Sequence, residues 1–496
     1  MAGMEVSHAP LRPEVAETHT GLVILIGDRA YKVKKPVTTD FLDFSTLESR
    51  ERACAREVML NRRLAPASYL GVAHFQPPQG AAPEPVIVMR RHPDESRLAT
   101  MVRRGDDVTG QLELIAGIVA RFHAGAHRGR EVDDEARVDT VTARWRENLT
   151  ELARYAQGVV PTLDPSAVAE LERLAMGFLA GRAVLFARRI SERRIVDGHA
   201  DLLADDIFCL PEGPALLDCL EFDDRLRYVD SVDDAAFLAM DLEFLGRRDL
   251  ADFFLDRYLN LACDGAPESL RHFYIAYRAG VRAKVDCVRY TQGRTESQDD
   301  ARRHLDIALE HLRAGAVRLI LVGGGPGTGK TTLARAVAEH LGAQVISTDD
   351  VRAEMVACGE ITGEPGVLGQ GLYSQENIDA VYDAVLRTAH LSLCEGLPVI
   401  LDGTWQDDGS RQRARRVAAE ASAPMVEFAC AAPLDAAVTR IRTRTATTSQ
   451  VTPDIATALA ERYREHGGRP GAHRIDTTRP LAQSVAETLD ICRTAC

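Results

Sequence analysis

The apolar run Gly21–Ile26, the pair Gly27-Asp28 and the return segment Arg29–Val33 read as a β-hairpin with a two-residue turn near the start of the chain. Strand parity puts Ala30, Lys32 and Lys34 on one face of the return strand. A helical stretch follows, in which Glu57 is grouped with Leu60 and Leu64, and the Pro- and Gly-rich segment Pro77–Pro85 marks a loop before the strand Val86–Met89. Helical spacing dominates Gln111–Glu192, with breaks near Gly125–Gly129 and Gly158–Pro165. The mixed segment Asp197–Asp223 holds two short apolar runs, and Asp234–Leu312 is helical again, interrupted near Asp264–Pro267 and Gly293. After Arg313-Ala314-Gly315-Ala316 the pattern changes to strand, glycine-rich loop, helix, strand, helix, strand. That alternation predicts a parallel α/β sheet, and with it a two-domain chain that divides near residue 314.

Composition narrows the class. At 496 residues, with 45% hydrophobic and 27% charged residues, the chain has the content of a globular protein of two or three domains. A net charge of −13 argues against a general nucleic-acid or anionic-membrane surface. The first 20 residues lack a basic region followed by an apolar core, and no apolar run approaches membrane-spanning length, so a cytoplasmic protein is expected. The ten cysteines include no C-x-x-C pair, which favours reduced thiols over zinc or a disulfide framework.

Only five of the 60 basic residues are lysines: Lys32, Lys34, Lys35, Lys284 and Lys330. Lysine and arginine differ where a compact point charge must reach a phosphate. Lys330 lies in Gly324-Gly325-Pro326-Gly327-Thr328-Gly329-Lys330-Thr331, followed by Thr332, a complete G-x-x-x-x-G-K-T loop directly after the apolar run Val317–Val322. Backbone N–H groups of such a loop and the next helix N-terminus wrap a phosphate, Lys330 reaches the β- and γ-phosphates, and Thr331 ligates Mg²⁺. The strand Gln344–Ser347 ends in Thr348-Asp349-Asp350-Val351-Arg352. An Asp there either accepts the proton of an attacking hydroxyl or caps the next helix, and Arg352 can hold substrate or phosphate. Pro398–Asp402 ends a further apolar run in Asp402, the form expected of a strand that orients Mg²⁺. Arg440 and Arg444 share a helix face in Val438–Thr445, either as a clamp on the triphosphate or as a solvated face.

Together these elements resemble the P-loop small-molecule kinases, a group related to gluconate kinase, chloramphenicol phosphotransferase and the kinase half of polynucleotide kinase. By position the resemblance makes Asp349 the group acting on the substrate hydroxyl, Arg352 its partner, and Arg440 or Arg444 the lid arginine.

The first part of the chain holds a second set. A small residue two before a lysine, Ala30 and Lys32, is the protein-kinase strand pattern in which the Ala lines the adenine pocket and the Lys holds phosphates, with Glu57 as the lysine's partner. His199-Ala200-Asp201 and Leu217-Asp218 have the order of a catalytic loop followed by a metal-binding Asp. This part resembles the aminoglycoside phosphotransferase-like kinases, nearest the group carrying the stretch seen here as Leu217-Asp218-Cys219-Leu220-Glu221-Phe222, often fused to a P-loop kinase domain. The resemblance implies Asp201 as catalytic base, Asp218 as Mg²⁺ ligand and Asp234 as an acid supporting the loop. Ala200, Leu203 and Asp206 depart from the Gly, His and Asn of the family's loop, although the Asp206 carboxylate also suits Mg²⁺.

The expected architecture is therefore a bilobal, α+β, protein-kinase-like domain over residues 15–312, followed by a P-loop NTPase parallel-sheet α/β kinase domain over 317–496. The expected activity is ATP- and Mg²⁺-dependent transfer of a phosphoryl group to a hydroxyl of a small molecule, mainly in the second domain. A nucleotide-sensing regulator and a polynucleotide 5′-hydroxyl kinase are the alternatives, and acidity weighs against the latter.

Overall fold

A computed structural model describes residues 13–17, 21–37, 43–76, 82–364, 369–443, 457 and 471–494. The chain forms two compact units, each assembled from two stretches: Met1–Thr140 with Arg189–Ala266, and Val141–Arg188 with Pro267–Cys496.

Unit 1 begins with an antiparallel sheet of β1 (Glu14–Glu17), β2 (Gly21–Ile26), β3 (Arg29–Lys34), β4 (Tyr69–Phe75) and β5 (Glu84–Arg90), in the order β1-β2-β3-β5-β4. Ile26 pairs with Arg29, which leaves Gly27-Asp28 as the turn, with Gly27 at φ +59. Thr46 caps the helix Leu47–Asn61 by accepting from the Ser49 N–H, and the helix lays Cys54 and Val58 against Tyr69 and Ile87 of the sheet. The remainder of unit 1 is helical around the wholly buried segment Val232–Met240 of the helix Ser231–Phe244. Two small antiparallel pairs accompany it: β6 (Ile195–Asp197) with β9 (Tyr228–Asp230), and β7 (Ile207–Leu210) with β8 (Gly213–Leu216). A five-stranded sheet with one packed helix, followed by a helical part carrying two short ribbons, is the bilobal protein-kinase-like architecture.

Unit 2 combines a helical bundle with a parallel sheet. The helices Val138–Ala156, Pro165–Gly181, Glu268–Thr291 and Ser297–Ala314 converge on Phe273, which stacks on Phe178 with centroids 4.4 Å apart and meets Trp145 at 5.6 Å. The sheet holds β10 (Leu319–Gly324), β11 (Gln344–Ser347), β12 (Val399–Asp402), β13 (Met425–Ala431) and β14 (His473–Asp476), in the order β11-β12-β10-β13-β14, all parallel. β10 and β12 are buried along their length, as strands covered on both faces must be.

Residue 314, where the sequence pattern changes, lies inside unit 2. The change of sequence pattern there is real, but contacts continue across it. Ser269 Oγ donates to the Gly396 carbonyl at 2.6 Å, and Arg188 pairs with Glu395 at 2.8 Å, tying the bundle to the loops that feed the parallel sheet. Among the described residues, no helix is long and apolar enough to cross a membrane.

Candidate functional site

The phosphate loop stands at the C-terminal end of β10. Val322 and Ser347 are both register partners of Asp402, so the loop, the end of β11 and the end of β12 open at one level of the sheet. Gly324, Gly327 and Gly329 take φ of +151, +70 and +82, values that favour glycine. A Cβ at Gly327 would lie 2.4 Å from the Ala437 carbonyl oxygen, and one at Gly324 would lie 2.7 Å from that of Cys430, so the loop's path admits no larger residue at either place. Thr328 Oγ1 and Lys330 Nζ each donate to the Gly325 carbonyl, at 2.8 and 3.0 Å, and the helix Lys330–Leu341 starts directly behind. Thr331 Oγ1 donates to Asp402 Oδ2 at 2.6 Å, while the buried Asp402 Oδ1 has no hydrogen-bond partner among the described residues. Burial raises the Asp402 pKa, with Thr331 and Lys330 opposing. A hydroxyl beside an orphaned carboxylate oxygen, at the mouth of a glycine loop, fits a nucleotide-bound Mg²⁺.

Ser347, not Asp349, caps the helix Thr348–Ala357: its Oγ accepts the Asp349 N–H at 3.3 Å. The Asp349 carboxylate is thereby released from the capping role and instead accepts from Arg352 Nη1 at 3.0 Å. The Arg352 guanidinium in turn lies 4.7 Å from the Tyr373 ring centroid. Arg440 is no solvated face. Its Nη2 donates to the Thr477 carbonyl at 2.8 Å, and Thr477 Oγ1 donates to the Thr328 carbonyl of the phosphate loop at 2.7 Å. Arg444 lies outside the described residues.

Of three further contributors in this unit, Trp405 ends the stretch Leu401-Asp402-Gly403-Thr404-Trp405 that belongs to the P-loop kinase resemblance, while Thr477 and Arg411 escaped the sequence reading. Thr477 follows β14 and had no motif to mark it. Trp405 is fully buried at φ +47 and packs edge-on against Tyr382 at 4.7 Å. Arg411 ties that loop down by donating to the Trp405 and Gln406 carbonyls at 2.9 and 2.7 Å.

In unit 1, Lys32 Nζ meets Glu57 Oε1 at 2.8 Å and Asp218 Oδ1 at 2.7 Å. Burial works against the Lys32 charge, yet Asp218, Glu57 and Glu221 hold its pKa well above the ordinary lysine value. Lys34, two residues on and therefore on the same strand face, reaches Glu57 Oε2 at 2.6 Å and Glu221 Oε1 at 2.5 Å. Glu57, wholly buried, is thus shared by two lysines. The second was legible from its parity with Lys32 and its rarity in this chain.

Asp234 supports the loop before Asp201. Its two oxygens accept the N–H groups of His199 and Ala200, each at 2.7 Å, and Oδ2 lies 2.9 Å from His123 Nε2. Although burial opposes it, these partners lower the Asp234 pKa. They also hold Ala200 at φ +66, a left-handed conformation natural to the glycine that Ala200 replaces. Asp206 lies within electrostatic reach of Asp218 and Asp201, and burial together with those carboxylates raises its pKa well above the ordinary value. Among the described residues no group of three His, Cys, Asp or Glu side chains is gathered as a metal shell.

Burial pushes the His199 pKa from its ordinary 6.5 down to about 4, against the pull of Asp234 and Asp218. Below pH 6.5 the unfolded chain takes up a proton that the folded chain refuses until about 4, so this residue's contribution to stability is lost as pH falls through that window. The loss reaches up to about 3 kcal/mol. Urea unfolding of unit 1 at stepped pH is expected to show a flatter slope between those limits in His199→Gln; an unchanged slope would assign the acid sensitivity elsewhere.

Residues 319–466 match the AAA domain family. Among solved structures, a choline/ethanolamine kinase family protein from Mesorhizobium loti is similar over 61% of this chain and 94% of its own, at 13% identity and a TM-score of 0.35. A gluconokinase from Sinorhizobium meliloti 1021 is similar over 36% of this chain and 93% of its own, at 18% identity and a TM-score of 0.27. Full-length relatives occur in mycobacteria, each 56% identical over 482 residues, covering 97% of this chain and 96% of the relative. The chain accordingly belongs to one family with the uncharacterized proteins Rv2004c of Mycobacterium tuberculosis (strain ATCC 25618 / H37Rv) and Mb2027c of Mycobacterium bovis.

Proposed function

We propose that the chain is an ATP-dependent phosphotransferase acting on a hydroxyl of a small molecule, with the chemistry in residues 317–496. One observation carries this reading: the Thr331–Asp402 pair and the Asp349–Arg352 pair stand at the ends of adjacent, co-registered strands. Bound Mg·ATP supplies the phosphoryl group and neutralises its charge. The loop amides and Lys330 hold the phosphates, and Thr331 with Asp402 holds the metal. Asp349, freed from capping, accepts the acceptor's hydroxyl proton, while Arg352 fixes the carboxylate's direction. The net charge of −13 disfavours an oligonucleotide acceptor.

The test is Mg·ATP consumption with pooled sugars, nucleosides, aminoglycosides and polyols, comparing wild type, Lys330→Ala and Asp201→Asn. Stimulation lost only with Lys330→Ala supports this reading; stimulation lost only with Asp201→Asn moves the chemistry to unit 1. The two roles at the end of β11 also separate. Asp349→Asn is expected to lower kcat on the order of 10²–10⁴-fold with little change in melting temperature. Ser347→Ala is expected to cost about 1 kcal/mol of stability with kcat nearly kept. The reverse pattern would make Asp349 structural.

A nucleotide-sensing role for unit 1 is the second reading. It rests on the 2.7 Å Lys32–Asp218 pair, which occupies the lysine within the protein. ATP binding to Lys330→Ala without turnover would support it.

A further inference from the structure

Away from the phosphate loop, unit 2 has a partly open cavity of about 230 Å³. It lies where the bundle meets the N-terminal approaches to β10 and β13, bordered by Gly177, Phe178, Arg182, Phe273, His311 and Pro424. The strand residues Leu319–Gly323 separate this end of the sheet from the phosphate loop, roughly 16 Å of strand. The group that sets its chemistry is Arg182. The residue is 1% exposed and borders the cavity, so its charge is inside the protein. Its Nη1 donates to the Ala421 carbonyl at 2.6 Å, whereas its buried Nε has no hydrogen-bond partner among the described residues. The Phe178 ring lies 5.5 Å from the guanidinium. Among the described residues no carboxylate borders the cavity, and Arg173, which also borders it, leans toward Glu170 at 4.0 Å.

An arginine remains charged in a folded protein, and a buried charge without a counter-ion is strongly disfavoured. Arg189 and Arg227, buried as deeply, show the ordinary remedy of paired carboxylates. Arg189, for example, is gripped by Asp230 at 2.7 Å and Asp264 at 2.6 Å. Among the described residues Arg182 has no such acid, and burial lowers its pKa to about 10, where Arg189 is driven the other way by its two carboxylates. A cavity of this size holds several waters at about 30 Å³ each, and so has room for a small oxyanion. The planar guanidinium fork matches two oxygens of such an ion.

We infer that this cavity is a binding site for a small oxyanion, phosphate or carboxylate in chemistry, for which Arg182 is the recognition residue. The site is independent of the phosphotransferase reading.

The test uses the full-length Lys330→Ala protein, so that phosphate bound at the loop contributes least. Thermal unfolding and calorimetric titration are run with inorganic phosphate, sulfate or acetate against chloride at matched ionic strength. Saturable stabilisation by at least one oxyanion is expected, with preference among the three separating phosphate-type from carboxylate-type ligands. Adding Arg182→Met is expected to weaken that binding at least tenfold. Gly177→Leu provides a second route that leaves the arginine in place: a Cβ at Gly177 meets nothing within 4 Å, so the larger side chain extends into open space beside the cavity. It is expected to fold and to lose the same binding. Equal oxyanion binding in Lys330→Ala and in its Gly177→Leu and Arg182→Met derivatives, or no saturable binding of any of the three ions, would overturn the assignment.

Discussion

Replacing Lys330 with methionine is expected to lower phosphoryl transfer by on the order of 10²–10³-fold while leaving the protein folded. The lysine begins the helix Lys330–Leu341 and its ammonium donates to the Gly325 carbonyl at 3.0 Å, so the charge sits over the loop's own mouth. Methionine keeps most of the side chain's length and removes the charge together with its hydrogen bond to Gly325. Stability changes little, because one donated hydrogen bond contributes about 1 kcal/mol. Arginine is expected to restore little, since its planar fork cannot occupy the place of a point charge inside a glycine loop. Single-turnover measurement with Mg·ATP, alongside melting temperature, checks both halves. Turnover at the wild-type rate in the methionine variant would remove this loop from the chemistry.

The second large effect is on stability, in unit 1. Glu57→Gln is expected to destabilise that unit by about 3 kcal/mol, the cost typical of breaking a buried ion pair by neutralising one partner. Glu57 is wholly buried and holds Lys32 at 2.8 Å and Lys34 at 2.6 Å, the latter only 1% exposed. Glutamine matches the shape but leaves each lysine with a single carboxylate, Asp218 or Glu221. Lys34→Met placed on top is expected to recover part of the loss, because it removes the worst-compensated charge. Urea unfolding should be followed through a unit 1 signal, since a two-unit chain need not unfold in one step. A loss below about 1 kcal/mol, with no recovery in the double variant, would show that Glu221 and Asp218 suffice.

What the sequence disclosed follows the range of the interactions concerned. The phosphate loop, the hairpin and the Lys32–Glu57 pair are set by short motifs or by strand parity, so they were readable, whereas the Asp234 support came only from the resemblance to a kinase family. The assembly of each unit from two stretches was not readable. Residues 141–188 and 268–314 have the same helical spacing as the helices of unit 1, and nothing local records that Phe273 gathers Phe178 and Trp145 onto the far side of the boundary. The cap at the end of β11 shows a further limit. Ser347 and Asp349 are both good capping residues, and only the position of the Ser347 hydroxyl decides between them. Thr477 acts through a contact with Thr328, far away in sequence, and Trp405 through an unusual backbone angle, neither of which composition records.

The discontinuous make-up of the two units has a consequence for how the chain is born. Once residue 266 has left the ribosome, every segment of unit 1 exists and that unit can close, with Val141–Arg188 held out as a long excursion. Those helices must then wait for the helices Glu268–Thr291 and Ser297–Ala314, a stretch of roughly 48 residues, about 2–10 s of synthesis at ordinary rates. During that interval the aromatic face of Trp145 and Phe178 is unclaimed, so the nascent chain is most open to chaperones, and most vulnerable to aggregation, in the middle of its own translation rather than at the end.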